Sequence, residues 1–222
     1  MTATEPSPAP SGEDRRQRKA RQTRDALATA ARDLILERGP AATTVEAIAE
    51  RADVTRRTFS RHFAGKEEAA LDFVRRDGDR INALLRTRPA GEPPLLAYRR
   101  AVRAWLTDQD DPAWHARPRM RELLALADTE PDLFAAYQRI RVDAQEESIR
   151  IVADRLGTDD ARDVRPAAVV DAAAGVLIAA LRQWARGDRD TGAADLAALV
   201  ERAYDALTAE AAAATPDSTT EE

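Results

Sequence analysis

The chain has 222 residues, 44% hydrophobic and 33% charged, with a net charge of −5 and no cysteine. That length allows one large domain, or a small domain followed by a larger one, and the composition is that of a globular chain. The absence of cysteine excludes disulfides, thiolate metal sites and a cysteine nucleophile.

The first 20 residues are polar and then basic, with no apolar stretch of signal-peptide type. No apolar run approaches the roughly 20 residues that span a bilayer, so a cytoplasmic location is expected. The charge is unevenly spread. Residues 15–66 hold 13 Lys and Arg against 6 Asp and Glu, a net +7, on a chain of −5, so the remainder carries −12. A basic N-terminal segment on an acidic body points to two parts with different partners. A basic solvated face is the other reading of the same charges.

Residues 1–14 include Pro6, Pro8 and Pro10 and are expected to be disordered. The basic run Arg15, Arg16, Arg18, Lys19, Arg21 and Arg24 then leads into a helix. Its apolar positions Leu27, Ala30, Ala31, Leu34 and Ile35 form one stripe, and Gly39-Pro40 stops it. A second helix opens at Thr43-Thr44, where either threonine suits an N-cap and Thr43 with Glu46 fits a capping box. Val45, Ile48, Ala49 and Ala52 make its inner stripe. After the joint Ala52-Asp53-Val54, Thr55 caps a short helix over RRTFSRHF that buries Phe59 and Phe63. Ala64-Gly65 breaks it, and a long helix is predicted from Lys66 to about Arg86.

RPAGEPP (88–94) is the best candidate boundary. Helices are expected beyond it at roughly 94–108, 113–128, 131–156, 166–186 and 193–213. Their breaks lie at Asp110-Asp111-Pro112, Glu130-Pro131, 157–165 and 187–192, and the tail after Ala214 is expected to be disordered. No segment alternates as a strand does, so the fold class is all-α. The predicted organisation is a disordered basic arm (1–20), a three-helix DNA-binding domain of helix-turn-helix type (21–66), a larger helical domain (67–214) and a disordered tail (215–222).

Residues 43–63 carry the functional pattern. Two short capped helices meet at a tight turn, and the second leaves Thr55, Arg56, Arg57, Thr58, Ser60, Arg61 and His62 outside. A helix fits the DNA major groove. Arg bonds guanine O6 and N7 bidentately, and hydroxyls bond phosphates or base edges. The preceding helix lies across the backbone and fixes register. An exposed arginine cluster also serves plain solubility, but here it coincides with the helix lengths, the caps and the turn.

TTVEAIAERADVTRRTFSRHFAGKEEAAL resembles the DNA-binding domain of the tetracycline-repressor (TetR) family. The shared features are Thr43-Thr44-Val45, Ile48-Ala49, Thr58-Phe59, His62-Phe63 and Lys66-Glu67, over about 50 residues from Arg21 to Leu71. Two positions depart from the family pattern. The turn often carries Gly where this chain has Asp53, a residue that tolerates turn geometry. Ser60 stands where Tyr is common, so that tyrosine contact does not carry over. The resemblance implies that Arg56, Arg57, Ser60 and Arg61 face base edges, and that Thr44, Thr55, Thr58 and His62 contact phosphate. Lys66 then resembles a phosphate-binding lysine at a helix start, and the Arg15–Arg24 run would reach the minor groove or phosphates.

Residues 166–186 are apolar on most sides. Val170, Ala174, Leu177, Leu181 and Trp184 recur at 3–4 residues, and the helix over 193–213 offers Leu196, Val200 and Tyr204. The resemblance implies that these two helices form a four-helix homodimer interface; the monomer core is the other use of such residues. Trp105, Met120, Leu124, Phe134 and Tyr137 are the candidate ligand-binding residues, since bundles hold ligands between helices. Residues 117–157 resemble a TetR subgroup described as binding acyl-CoA-like effectors, for which Arg99, Arg100, Arg103, Arg117, Arg119 and Arg121 are candidate phosphate partners. The implied protein is a cytoplasmic, ligand-responsive regulator of repressor type. It binds a palindromic operator in double-stranded DNA as a dimer and is released by a small-molecule effector, with no membrane partner, cofactor, metal or catalytic residue.

A helical scaffold without DNA binding, and an enzyme, are the competing classes. The chain has two histidines, His62 and His115, and shows no HExxH, GxSxG, P-loop or GxGxxG. Asp108, Asp110 and Asp111 near His115 read as a solvated turn beside Pro112.

Overall fold

The computed structural model describes residues 12–117, 119–187 and 193–214. The expected disorder at 1–11 and 215–222, and most of the break at 187–192, lie outside them. The described residues form ten α-helices and one 3-10 turn, with no strand among them. The chain divides into two compact units, Met1–Leu71 and Asp72–Glu222.

The first unit contains α1 (Gly12–Arg38), α2 (Val45–Arg51), α3 (Arg56–Ser60) and α4 (Lys66–Ala70). α1 reaches back to Gly12, so Arg15 to Ala20, expected in a disordered arm, are helical. Leu27, Ala30, Ala31, Leu34 and Ile35 of α1 are buried with Ile48 and Ala49 of α2, Phe59 of α3, Phe63, and Ala69 and Ala70 of α4. Gly39 ends α1 at φ +83, where a side chain would be strained. α2 and α4 both pack on α1, and α3 packs on α2.

The second unit contains α5 (Asp72–Arg86), α6 (Pro94–Leu106), a 3-10 turn (Trp114–Ala116), α7 (Met120–Thr129), α8 (Pro131–Leu156), α9 (Arg165–Arg186) and α10 (Ala193–Ala213). α5 packs between α6 and α8, and α9 packs against α6, α7, α8 and α10. Prolines 94, 131 and 166 open their helices, where the missing N–H costs nothing. Gly157 closes α8 at φ +63, with Thr158 N donating to Ala153 O at 3.0 Å.

Four sequence expectations change. The helix predicted from Lys66 to Arg86 is two helices, because Leu71 leaves helical geometry at φ −100, ψ 12. α4 belongs to the first unit, so the boundary falls after Leu71 rather than Lys66. The helix expected at 113–128 starts only at Met120: Arg117 is extended (ψ 146), as the residue before a proline must be, and Arg119 is left-handed at φ 63.

A further change concerns the predicted dimer residues. Val170, Ala174, Leu181, Trp184, Leu196, Val200 and Tyr204 are each at most 7% exposed within the single protomer, and Leu177 is half-buried. All but Leu177 form core between α9, α10 and their neighbours, and Leu177 keeps part of its surface. α9 is long and apolar enough to cross a membrane by composition alone, but Val170, Ala173, Ala174, Ala180, Leu181 and Trp184 use that apolarity in the core.

Candidate nucleic-acid interface and effector cavity

α2 and α3 are each fixed by a threonine. The Thr44 side chain accepts from Ala47 N at 3.2 Å and caps α2. Thr43 is buried and its hydroxyl donates to Gly39 O at 2.8 Å, so the Thr43–Glu46 capping box does not form. Glu46 instead pairs with Arg56 at 3.0 Å. Thr55 caps α3 by accepting from Thr58 N at 3.1 Å, and the two threonine hydroxyls lie 3.0 Å apart. Each cap contributes about 1 kcal/mol. Between the helices, Asp53 adopts φ 53, the left-handed turn geometry expected of it.

α3 is shorter than the predicted RRTFSRHF helix. It ends at Ser60, leaving Arg61 and His62 in the following turn. Arg56, Arg57, Ser60 and Arg61 are exposed, while Thr58 and His62 are half-buried. The Ser60 hydroxyl donates to Arg56 O at 3.2 Å. Phe59 and Phe63 meet inside the unit, tilted at 46° with ring centroids 5.8 Å apart. Burial, with Arg24 and Arg61 beside it, pushes the His62 imidazole below its ordinary range, so it tends to the neutral form.

Two residues have roles that a linear reading misses. Arg24, placed in the basic run, turns inward: its Nη1 donates to His62 O at 2.9 Å and its guanidinium lies 4.3 Å from the centre of the Phe63 ring. Lys66 Nζ donates to Pro40 O at 2.7 Å and Thr43 O at 3.0 Å. Its ammonium therefore ties α4 to the segment before α2 and has one proton left for anything else.

The second unit holds a partly open cavity of about 80 Å³ among α5, α6, α8 and α9, room for several waters where one needs roughly 10–15 Å³. Its wall includes Val74, Asp77, Gly78 and Ile81 of α5, Tyr98 and Trp105 of α6, Tyr137, Arg141, Gln145 and Ser148 of α8, Ala174, Leu177 and Leu181 of α9, and Trp114. Helix α5 comes close to α8 at Gly78, where a Cβ would lie 2.7 Å from the Ala144 Cβ. The polar wall is mostly satisfied internally. Ser148 Oγ donates to Asn82 Oδ1 at 2.6 Å, and Gln145 bridges Arg141 (2.6 Å) and Asp171 (3.1 Å).

Asp77 differs. Its Oδ1 accepts from Trp105 Nε1 at 3.0 Å, and burial raises its carboxyl to about 7 despite that bond and the Arg80, Arg117 and Arg76 charges. His115 sits edge-on to Trp105, Trp114 and Trp184, and burial lowers its imidazole to about 4.

Of the ligand candidates, Trp105 and Tyr137 line this cavity. Leu124 lines a smaller one with Tyr137 and Leu181. Met120 is buried and Phe134 is 37% exposed, and neither lines the cavity that holds Trp105 and Tyr137. Among the candidate arginines, Arg99 pairs with Glu201 and Asp205, Arg100 with Glu92 and Arg119 with Glu122. Arg121 lies over the Trp184 ring at 4.3 Å.

A capped two-helix motif with an exposed arginine cluster, followed by a helical unit with a cavity among its helices, defines a helix-turn-helix regulator with its own sensing domain. Comparison with known proteins agrees. Residues 27–70 match the family of bacterial regulatory proteins of the tetR type, and residues 92–212 match the MftR C-terminal domain. The chain is 39% identical over 206 residues to the HTH-type transcriptional regulator TcmR of Streptomyces glaucescens, covering 89% of this chain and 88% of that protein. It belongs to the TetR family of transcriptional regulators.

Solved structures share the fold. A TetR-family regulator from Mesorhizobium loti superposes with TM-score 0.52 at 20% identity, over 87% of this chain and 98% of that one. Thermus thermophilus FadR, a TetR-family repressor in complex with lauroyl-CoA, gives 0.51 at 20% identity, over 90% of this chain and all of that one.

Proposed function

We propose that this chain is a dimeric, ligand-responsive repressor, cytoplasmic and without catalytic activity. It binds a palindromic operator through α2 and α3, and a small molecule held among α5, α6, α8 and α9 releases it. The observation that carries the DNA reading is the pair of threonine-capped helices with Arg56, Arg57 and Arg61 exposed on and just after α3. α3 enters the major groove. Arg56, Arg57, Ser60 and Arg61 meet base edges, while Thr44, Thr55, Thr58, His62 and Lys66 hold phosphates. Thr44 and Thr55 already accept backbone N–H bonds, so their hydroxyl protons are what remains for phosphate oxygens.

Two-fold symmetry would present two α3 helices about 34 Å apart and demand a two-fold operator. For the partner face we infer the outer stripe of α9, Ala168, Ala172, Gly175 and Ala179, which is exposed or half-buried. Small residues allow close helix approach, and a Cβ at Gly175 would meet nothing within 4 Å. An effector releases the operator only by binding the two states of the dimer unequally.

An acyl-CoA is a second reading of the effector, supported by the lauroyl-CoA complex of Thermus FadR. With Arg99, Arg100 and Arg119 in ion pairs and Arg121 over the Trp184 ring, the phosphates would fall to the exposed Arg103 or to Arg117, which shares a cleft with Arg76, Arg80, Asp77 and Asp111 beside Trp114.

The deciding experiment is selection of binding sites from random duplex DNA by the purified protein at stated salt. Enrichment of a palindrome is expected, and that sequence then serves as the probe for effectors that release it. If no sequence is enriched, from ligand-stripped protein as well, the DNA reading fails.

A further inference from the structure

Among the described residues lining the cavity, one buried polar atom lacks a hydrogen-bond partner: Asp77 Oδ2. Asp77 is 7% exposed. Its Oδ1 is taken by Trp105. The nearest cation, Arg80, stands 3.9 Å from Oδ1 and is committed at 2.9 Å to Asp108 and also to Asp111. A carboxylate oxygen buried without a donor is costly, and such atoms are rare in folded proteins. Asp77 lines a cavity otherwise built largely of Tyr98, Trp105, Trp114, Tyr137 and aliphatic side chains, and on another side the cleft of Arg76, Arg80 and Arg117.

The charges around it narrow what can complete it. Arg141 shares the cavity wall, and Arg76, Arg80 and Arg117 act on Asp77 from the other side. A cationic ligand would be opposed by Arg141 in the same wall, and an anionic one by Asp77 itself. An aliphatic chain would leave Oδ2 as it is. An uncharged O–H or N–H supplies the missing donor without adding charge, and flat rings suit walls of indole and phenol.

We propose that Asp77 is the specificity-determining anchor of the effector, which is an uncharged ring system whose hydroxyl or N–H donates to Asp77 Oδ2 while its rings lie among Trp105, Trp114, Tyr98 and Tyr137. The inference rests on reading this cavity as the effector site. It adds the chemical class of the effector and the residue that selects it. A site built to bond a hydroxyl rejects the analogue lacking it far more strongly than an apolar site separates two shapes.

The test uses a matched pair, 2-naphthol and 2-methoxynaphthalene, with equilibrium dialysis against the full chain at pH 8, where Asp77 is ionised and accepts only. Wild type should bind the naphthol on the order of 10–100-fold more tightly than the ether. In Asp77→Asn the carboxamide keeps its oxygen for Trp105 and turns N–H toward the cavity, so the ratio should fall to about 3-fold or less. Asp77→Ala should give the same result, and helical circular dichroism reports whether both variants fold. Equal binding of the two compounds by wild type, a preference that survives in Asp77→Asn, or no binding of either compound overturns the inference.

Lauroyl-CoA and the cavity-filling Ala174→Phe separate the two levels. If lauroyl-CoA alone binds and Ala174→Phe abolishes it, the cavity stands as effector site and the Asp77 inference falls. If the naphthol binds and Ala174→Phe leaves it unchanged, the cavity reading falls as well.

Discussion

Arg24 and Phe63 are stacked, with the guanidinium carbon 4.3 Å from the ring centre, and the same guanidinium donates to the carbonyl of His62. One side chain from α1 thus holds the turn that ends the recognition helix, across 38 positions of sequence. A cation over an aromatic ring contributes about 0.5–1 kcal/mol, and a charged hydrogen bond to a carbonyl about 1.5–3 kcal/mol.

Arg24→Ala should therefore lower the stability of the first unit by roughly 1–3 kcal/mol. It should weaken operator binding without changing which sequence is selected, because Arg24 positions α3 and reads no base. Arg24→Lys should recover little, since an ammonium cannot stack flat on the ring and reach His62 O together. Thermal unfolding and competition binding against mismatched operators check both statements.

Arg57 and Lys66 should separate cleanly. Arg57 is exposed on α3, and Arg57→Ala should cost about 1–3 kcal/mol of specific binding, relax preference at one base pair and leave the melting temperature unchanged. Lys66→Ala removes the donor to Pro40 O and Thr43 O. It should lower the melting temperature, weaken all sequences alike and reduce the salt slope of binding by about 1. A base-specific effect of Lys66→Ala would displace it from the phosphate role.

Gly78→Ala should be destabilising although alanine favours helices by about 1 kcal/mol. The new methyl would sit 2.7 Å from the Ala144 Cβ, so α5 and α8 must separate, at a cost of about 1–3 kcal/mol. The double variant Gly78→Ala, Ala144→Gly should regain much of the loss, and a chemical denaturation cycle over the four proteins measures it.

Asp77 makes stability depend on pH with a definite sign. Burial raises its folded carboxyl to about 7, so between the unfolded value near 4 and about 7 the folded state holds more protons. Stability is full below the unfolded value and is lost as pH rises through the folded one. Asp77→Asn lacks this loss. From pH 5 to pH 8 wild type should fall relative to Asp77→Asn by about 2–3 kcal/mol. The comparison cancels His115, whose imidazole is lowered to about 4 and which costs stability in the opposite direction, as pH falls from about 6.5. Parallel denaturation curves at the two pH values decide the sign.

Local chemistry made much of the DNA-binding unit legible. A threonine cap, a glycine stop, an aspartate in a left-handed turn and an apolar stripe at helical spacing are short-range signals, and Gly39, Asp53 and Thr55 act as their residue types require. The helices at 131–156 and 193–213 were legible for the same reason, from a proline start and a sustained period. Thr43 and Thr44 show where that resolution ends. Both can cap, and packing chose Thr44 by burying Thr43.

By itself the sequence determined the fold class, the two-part organisation and the helix that carries the arginines, because each depends on residues within a few positions of one another. Tertiary structure alone decided that the apolar stripe of α9 packs in the protomer's own core, since the same period suits a core helix or a partner face. It also decided that Arg24 folds back on Phe63, that Lys66 ties down the segment before α2, and that Asp77 stands in an aromatic wall with one oxygen unmet. Those relationships join residues distant in sequence, and burial, which sets their energies, exists only once the helices have packed.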